Sequence, residues 1–121
     1  MITNSQLKLA RLIFDKTHAG LLPWESSPAA DTYQCALPNG VIRVAHYSDS
    51  RMYISLEIID DRGRVVDSFT DDDLTESNYP PFNGAGWYST FNEIFELARR
   101  TALGAEQVLS KLIDDLENPF L

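Results

Sequence analysis

Cysteine, histidine and basic residues are scarce in this 121-residue chain, and each scarcity closes off a class of function. Cys35 is the only cysteine, so no intramolecular disulfide is possible and a thiolate metal site needs other ligands. That usage fits a reducing, cytoplasmic setting. Ten basic residues stand against eighteen acids, a formal charge of −8 that repels phosphate backbones. The basic residues are scattered, with Arg99-Arg100 the only adjacent pair, so direct nucleic-acid binding is disfavoured. No apolar run approaches the roughly 18 residues of a membrane span. The opening stretch, MITNSQLKLARLIF, is interrupted by Lys8 and Arg11 and lacks a small-residue cleavage site, so it reads as an amphipathic helix rather than a signal peptide.

Motifs of established chemistry are missing too. There is no G-x-S-x-G, Walker loop or G-x-G-x-x-G; Gly84-Ala85-Gly86 is too short and follows no strand. His18, His46 and Cys35 lie on three different elements without C-x-x-C or H-x-x-x-H spacing, which disfavours zinc. Neither metal, cofactor nor catalytic residue is assigned. A paired-carboxylate pick among eighteen acids carries no information.

What is present is globular. Hydrophobic residues make up 44% and charged residues 23%, spread along a chain long enough to bury its own core as one domain. Thr3-Asn4-Ser5-Gln6 caps a helix from about Asn4 to His18, and Gly20 offers its stop. Leu21, Leu22 and Trp24 then suggest a segment tucked against the core, and SSPAAD reads as a surface loop.

From Thr32 the period changes to alternation. TYQCAL and VIRVAHYS flank Pro38-Asn39-Gly40, where Asn-Gly suits a tight turn of positive φ. RMYISLEIID and RVVDSFT flank Asp60-Asp61-Arg62-Gly63, and Ser48-Asp49-Ser50 joins the middle pair. Three short connections imply a four-stranded antiparallel meander. Ile42, Val44 and His46 alternate with Arg43, Ala45 and Tyr47, and Met52, Ile54, Leu56 and Ile58 with Tyr53, Ser55, Glu57 and Ile59, so one face is the more apolar. Val65 and Val66 are adjacent, which leaves the inward face of the last strand unassigned.

Asp71 to Tyr88, acidic at first and then rich in Pro, Gly and aromatics, is expected to be a long irregular loop. Ser89 or Thr90, with Glu93 as capping-box partner, opens one long helix to about Leu116. Its stripe runs Phe91, Phe95, Ala98, Ala102, Ala105, Leu109, Leu112, Leu116, widened by Ile94, Val108 and Ile113; Asn118-Pro119 ends it. The expected fold is α+β: a helix, a four-stranded meander, a loop and a long helix packed on one sheet face.

Lys16 to Glu25 (KTHAGLLPWE), Tyr33, the Tyr53 to Ile58 strand, the Asp61-Arg62-Gly63 turn with Val65-Val66-Asp67, and Ile94 to Ala102 (IFELARRTA) together resemble a set of small uncharacterised bacterial α-β4-α proteins. Phe95 stands where that pattern has Tyr. The resemblance spans most of the chain outside Asp71 to Tyr88. It implies the fold and a bacterial or phage-like origin, but no activity and no catalytic residues.

The candidate sites have plain structural readings beside them. Cys35 as nucleophile needs a base, which His46 supplies only if the hairpin register allows; a buried structural thiol is the simpler account. Asp71-Asp72-Asp73 with Glu76 lacks the pattern of a calcium loop and reads as solvated acid. Arg99 and Arg100 pair across a turn with Glu96 or Glu93. The open sheet face carries Arg43, Tyr47, Tyr53 and Glu57, a routine composition for such a face.

Two features point to a partner. Tyr79, Phe82, Trp87 and Tyr88, stiffened by Pro80-Pro81, form either a binding loop or a plug for the end of the core, with Phe82 discriminating. The final helix, roughly 40 Å long at about 1.5 Å per residue, outruns a sheet of roughly 20 to 30 Å. The N-terminal helix and Trp24 cover the excess, or Leu109 and Leu112 form a seam for another protein or a second copy. The expected function is a non-enzymatic interaction or accessory module. The alternative is a small-ligand or catalytic domain with a pocket between residues 71–88 and the sheet.

Overall fold

Gln6 and Thr3 open the first helix with reciprocal hydrogen bonds: the Gln6 N–H donates to Thr3 Oγ1 at 3.1 Å, and the Thr3 N–H to Gln6 Oε1 at 2.9 Å. In the computed structural model, which describes residues 2–48 and 51–120, helix α1 spans Asn4–His18. It stops where Gly20 turns to φ +71° and the Leu21 N–H reaches back to the Lys16 carbonyl. Ala10, Ile13 and Thr17 form its buried face. Trp24 folds back onto that face, its indole N–H donating to Thr17 Oγ1 at 3.1 Å. Leu22 packs beside the core, while Leu21 is exposed.

The sheet is antiparallel in chain order with five strands, one more than the alternation predicts: β1 Glu25–Ser26, β2 Thr32–Leu37, β3 Gly40–Ser48, β4 Met52–Ile59 and β5 Val65–Thr70. The extra strand, β1, pairs two residues against Gln34 and Tyr33, too short a run for alternation to register. The connection expected at Ser48-Asp49-Ser50 reaches Asp49 and Ser50, which lie outside the described residues.

The β2–β3 turn differs from the Asn-Gly expectation. Leu37 and Gly40 are the closing pair, and neither Asn39 nor Gly40 has positive φ. Gly40 serves space instead, because a Cβ there would run into the Ile59 carbonyl oxygen. The second turn follows expectation: Gly63 takes φ +82°, and Asp60 Oδ1 accepts from the N–H groups of Arg62 and Arg64 at 3.0 and 2.9 Å.

A bulge explains the adjacent valines. Ile58 pairs with Asp67 but Ile59 with Val65, leaving Val66 as the extra residue. Strict alternation is therefore broken at that point, and Phe69, opposite Leu56, restores the inward face.

Asp71 to Tyr88 is not one loop. Helix α2, Asp71–Glu76, begins directly after β5 with its own capping box: the Asp73 N–H donates to Thr70 Oγ1 and the Thr70 N–H to Asp73 Oδ2. Three aspartates in the first turn oppose the positive end of the helix dipole. Helix α3, Trp87–Ala102, starts from Gly86, ahead of the expected Ser89 or Thr90 cap. Thr90 is buried, its hydroxyl hydrogen-bonded to the Gly86 carbonyl and to Asn83, and Glu93 faces His18 at 3.2 Å rather than closing a capping box.

The long C-terminal helix is two helices. After α3, Leu103 closes the last turn and Gly104 takes the left-handed conformation (φ +65°, ψ +40°), so that α4, Ala105–Glu117, leaves in a new direction. Helices α1, α2 and α3 cover one sheet face. There Cys35, Ile42, Val44, Ile54, Leu56 and Phe69 meet Leu74, Phe91, Ile94, Phe95 and Ala98. α4 adds nothing buried to this core and packs chiefly against α3. No described helix is long and apolar enough to cross a membrane.

Candidate functional site

The aromatic segment is anchored inward by its last tryptophan. Trp87 is buried, and its indole N–H donates to the Tyr79 carbonyl at 2.8 Å, closing residues 79–87 into a compact turn. Phe82 stands edge-on to Trp87 at 4.7 Å between centroids, lies 5.8 Å from Phe14, and carries the Arg11 guanidinium 5.0 Å above its ring. Tyr88 points to the sheet, its hydroxyl 3.0 Å from His46 Nε2. Tyr79, Phe82 and Tyr88 are half-buried against the core. Leu74 and Trp87 of residues 71–88, with Phe91, are buried in the core, and the hollow of about 480 Å³ at Asp73, Glu76, Ser77 and Tyr79 is lined by Ile2 and by no strand residue.

His46 borders a shallow hollow of about 340 Å³ with Asn92, Phe95, Glu96 and Arg99. The one acid among these and the guanidinium face each other, Arg99 Nε lying 3.8 Å from Glu96. Arg100 pairs instead with Glu106 across the α3–α4 corner, at 2.6 Å. Cys35 stands opposite Ile42, four positions along β3 from His46, so at about 3.3 Å per residue the two are roughly 13 Å apart along the strand. The thiol is fully buried, and its pKa is raised by that burial and further by the charge of Glu25. Such a thiol is a poor nucleophile.

The acidic run is occupied by structure. Asp71 is buried and accepts the Ile54 N–H at 2.8 Å, Asp72 pairs with Arg51 at 2.9 Å, and Asp73 caps α2. Among the described residues no three His, Cys, Asp or Glu side chains gather as a metal site. On the open sheet face Tyr47 and Tyr53 stack at 5.0 Å, and Arg43 and Glu57 stand 4.0 Å apart.

Helix α4 is the exception to this inward economy. Val108, Leu109, Leu112, Ile113 and Leu116 are 52%, 45%, 51%, 53% and 77% exposed, and they form a continuous apolar stripe on a helix with no buried residue. At 100° per residue the stripe covers an arc of roughly 140°, as wide as the core-facing side of an ordinary amphipathic helix. The N-terminal helix and Trp24 do not cover it; both are turned to α3 and the sheet. Leu109 and Leu112 thus sit in the open, with Leu103 exposed at the corner before them and Phe120 beyond. Leu103 and Phe120 are absent from the periodicity, and the only signal for the first is the glycine that follows it.

No protein-family model, no curated protein and no solved structure matches the chain.

Proposed function

We propose that the chain is a non-enzymatic protein-interaction module, of accessory or regulatory type, whose docking surface is the apolar face of α4. The uncovered stripe carries this reading. Isolated helices shorter than about 12 to 15 residues are marginal in water, and α4 has 13 residues with no buried side chain to hold it. Covering the exposed halves of five aliphatic side chains is worth on the order of 5 kcal/mol, enough to order the helix and contribute to a complex. Exposed contiguous apolar patches of this kind mark interaction sites. A buried free thiol suits work in the cytoplasm.

The small-ligand reading has less support, because Leu74 and Trp87 bury residues 71–88 in the core and the hollow at Asp73, Glu76, Ser77 and Tyr79 is lined by no strand residue. The test is capture from extract by the immobilised chain, compared with Leu109→Asp, Leu112→Asp and Phe82→Ala. Loss with the two leucine variants and retention with Phe82→Ala is expected. Loss with Phe82→Ala alone, in a protein whose melting curve remains cooperative, would move the docking surface to the aromatic segment.

A further inference from the structure

The rim of the α4 stripe says what kind of surface covers it. On helical geometry Asp115 and Lys111 border one side of the stripe, and Glu106 and Glu117 the other, with Asp114 on the back. Glu106 is held by Arg100. Among the described residues no basic side chain lies within ion-pair distance of Asp114, Asp115 or Glu117, so the C-terminal half of the stripe, around Leu112, Ile113 and Leu116, is framed by unpaired carboxylates. Resting on the reading of α4 as a docking surface, we infer that its occupant is an amphipathic helix of another polypeptide, with lysine or arginine flanking its apolar stripe.

A second copy of this chain fits poorly. In parallel pairing the Asp115 flank of one copy lies beside the Glu117 flank of the other; in antiparallel pairing Glu117 meets Glu106 of the other copy. Lys111 can reach Asp115 of the other copy in the antiparallel arrangement alone, and it leaves the flank of Glu106 and Glu117 uncompensated. Each copy also brings a net charge of −8. Like charges at the flanks of a helix pair disfavour it, whereas opposite charges select partner and orientation. A partner helix of three to four turns matches the roughly 20 Å length of α4.

The probe is a synthetic fourteen-residue helical peptide with leucines at alternating three- and four-residue spacing and lysines on both flanks; the control has glutamate at every lysine. Anisotropy titration against the full chain should show the lysine peptide binding at least about tenfold tighter, a gap that narrows as salt is raised. Asp115→Lys with Glu117→Lys should reverse the preference, and Leu109→Asp with Leu112→Asp should abolish binding of either peptide. Equal binding of the two peptides overturns the charge inference while leaving α4 a docking surface. So does a solution mass of two chains that Leu112→Asp halves. Failure of the lysine peptide to bind also overturns it; whether the docking reading falls as well is then decided by the capture experiment with the same leucine variants.

Discussion

Phe82 meets the edge of Trp87 at 4.7 Å between ring centroids, and the indole N–H of Trp87 donates to the carbonyl of Tyr79, three residues before Phe82. The proline-rich turn is therefore held from inside by one ring and covered from outside by another. Truncating the inner ring should be the costlier change. Trp87→Ala is expected to cost about 3 to 5 kcal/mol and Phe82→Ala, half-exposed, about 1 to 2. Trp87→Phe, which keeps most of the packing and loses the hydrogen bond, should cost less than Trp87→Ala. Urea melts of the three variants check the order; equal losses at positions 82 and 87 would contradict the inside–outside arrangement.

Asp71 and Asp60 should respond to pH with opposite signs. Burial raises the Asp71 pKa, a neighbouring Asp72 adds to it, and the hydrogen bond from the Ile54 N–H and the charge of Arg51 only partly offset this. The folded state then holds this proton above the ordinary carboxylate range, so Asp71's contribution is present at low pH and lost as pH rises through the raised pKa. Asp71→Asn keeps an oxygen for Ile54 and removes the buried charge. It should match or exceed the parent's stability at pH 7, with the advantage shrinking toward pH 4. The exposed Asp60 has its pKa lowered, chiefly by the Arg64 N–H. Its contribution is present at neutral pH and is lost as pH falls through the lowered value, so the deficit of Asp60→Asn at pH 7 should close in acid. Denaturation midpoints across that range read both effects.

Cys35 should be chemically silent in the folded protein. With its thiol fully buried and its pKa raised, the side chain lacks both access and thiolate character. Iodoacetamide at pH 8 should modify it on the order of 100-fold more slowly in buffer than in guanidinium, because reaction waits on opening of the sheet. Comparable rates would mean that the β1–β2 end of the sheet opens locally.

Sequence periodicity reached the helix at Asn4–His18 and the alternating faces of β3 and β4 because each repeats its period over eight residues or more. It could not reach β1, where two residues hold no period, or the inward face of β5, where Val66 interrupts the alternation. The acidic run hid α2: three aspartates resemble a solvated loop, although Thr70 with Asp73 three residues on has the spacing of a capping box. The break at Gly104 was masked for a different reason. Ala98, Ala102, Ala105 and Leu109 continue the helical spacing straight through it, so the pattern alone describes one helix. The apolar residues of α4 were legible, but their exposure follows from the direction set at Gly104, which side-chain periodicity does not encode.

That glycine is consequently the residue on which presentation of α4 depends. At φ +65° an L side chain is strained by about 1 to 2 kcal/mol, while a Cβ at position 104 would meet only the flexible end of Gln107, at 3.4 Å. The penalty of Gly104→Ala is thus conformational rather than steric. Two outcomes compete: the corner persists and stability falls, or the strain is relieved by running α3 and α4 together. The corner should win, because the Leu103 N–H bonds to the Arg99 carbonyl, the Gly104 N–H to the Thr101 carbonyl, and Arg100 grips Glu106 across it. Gly104→Ala is expected to lose about 1 kcal/mol with helical content unchanged. Gly104→Asn should lose less, since Asn tolerates the left-handed region. A rise in helical circular dichroism with unaltered stability in the alanine variant would show instead that the two helices fuse, and that the apolar face of α4 can be redirected by a single methyl group.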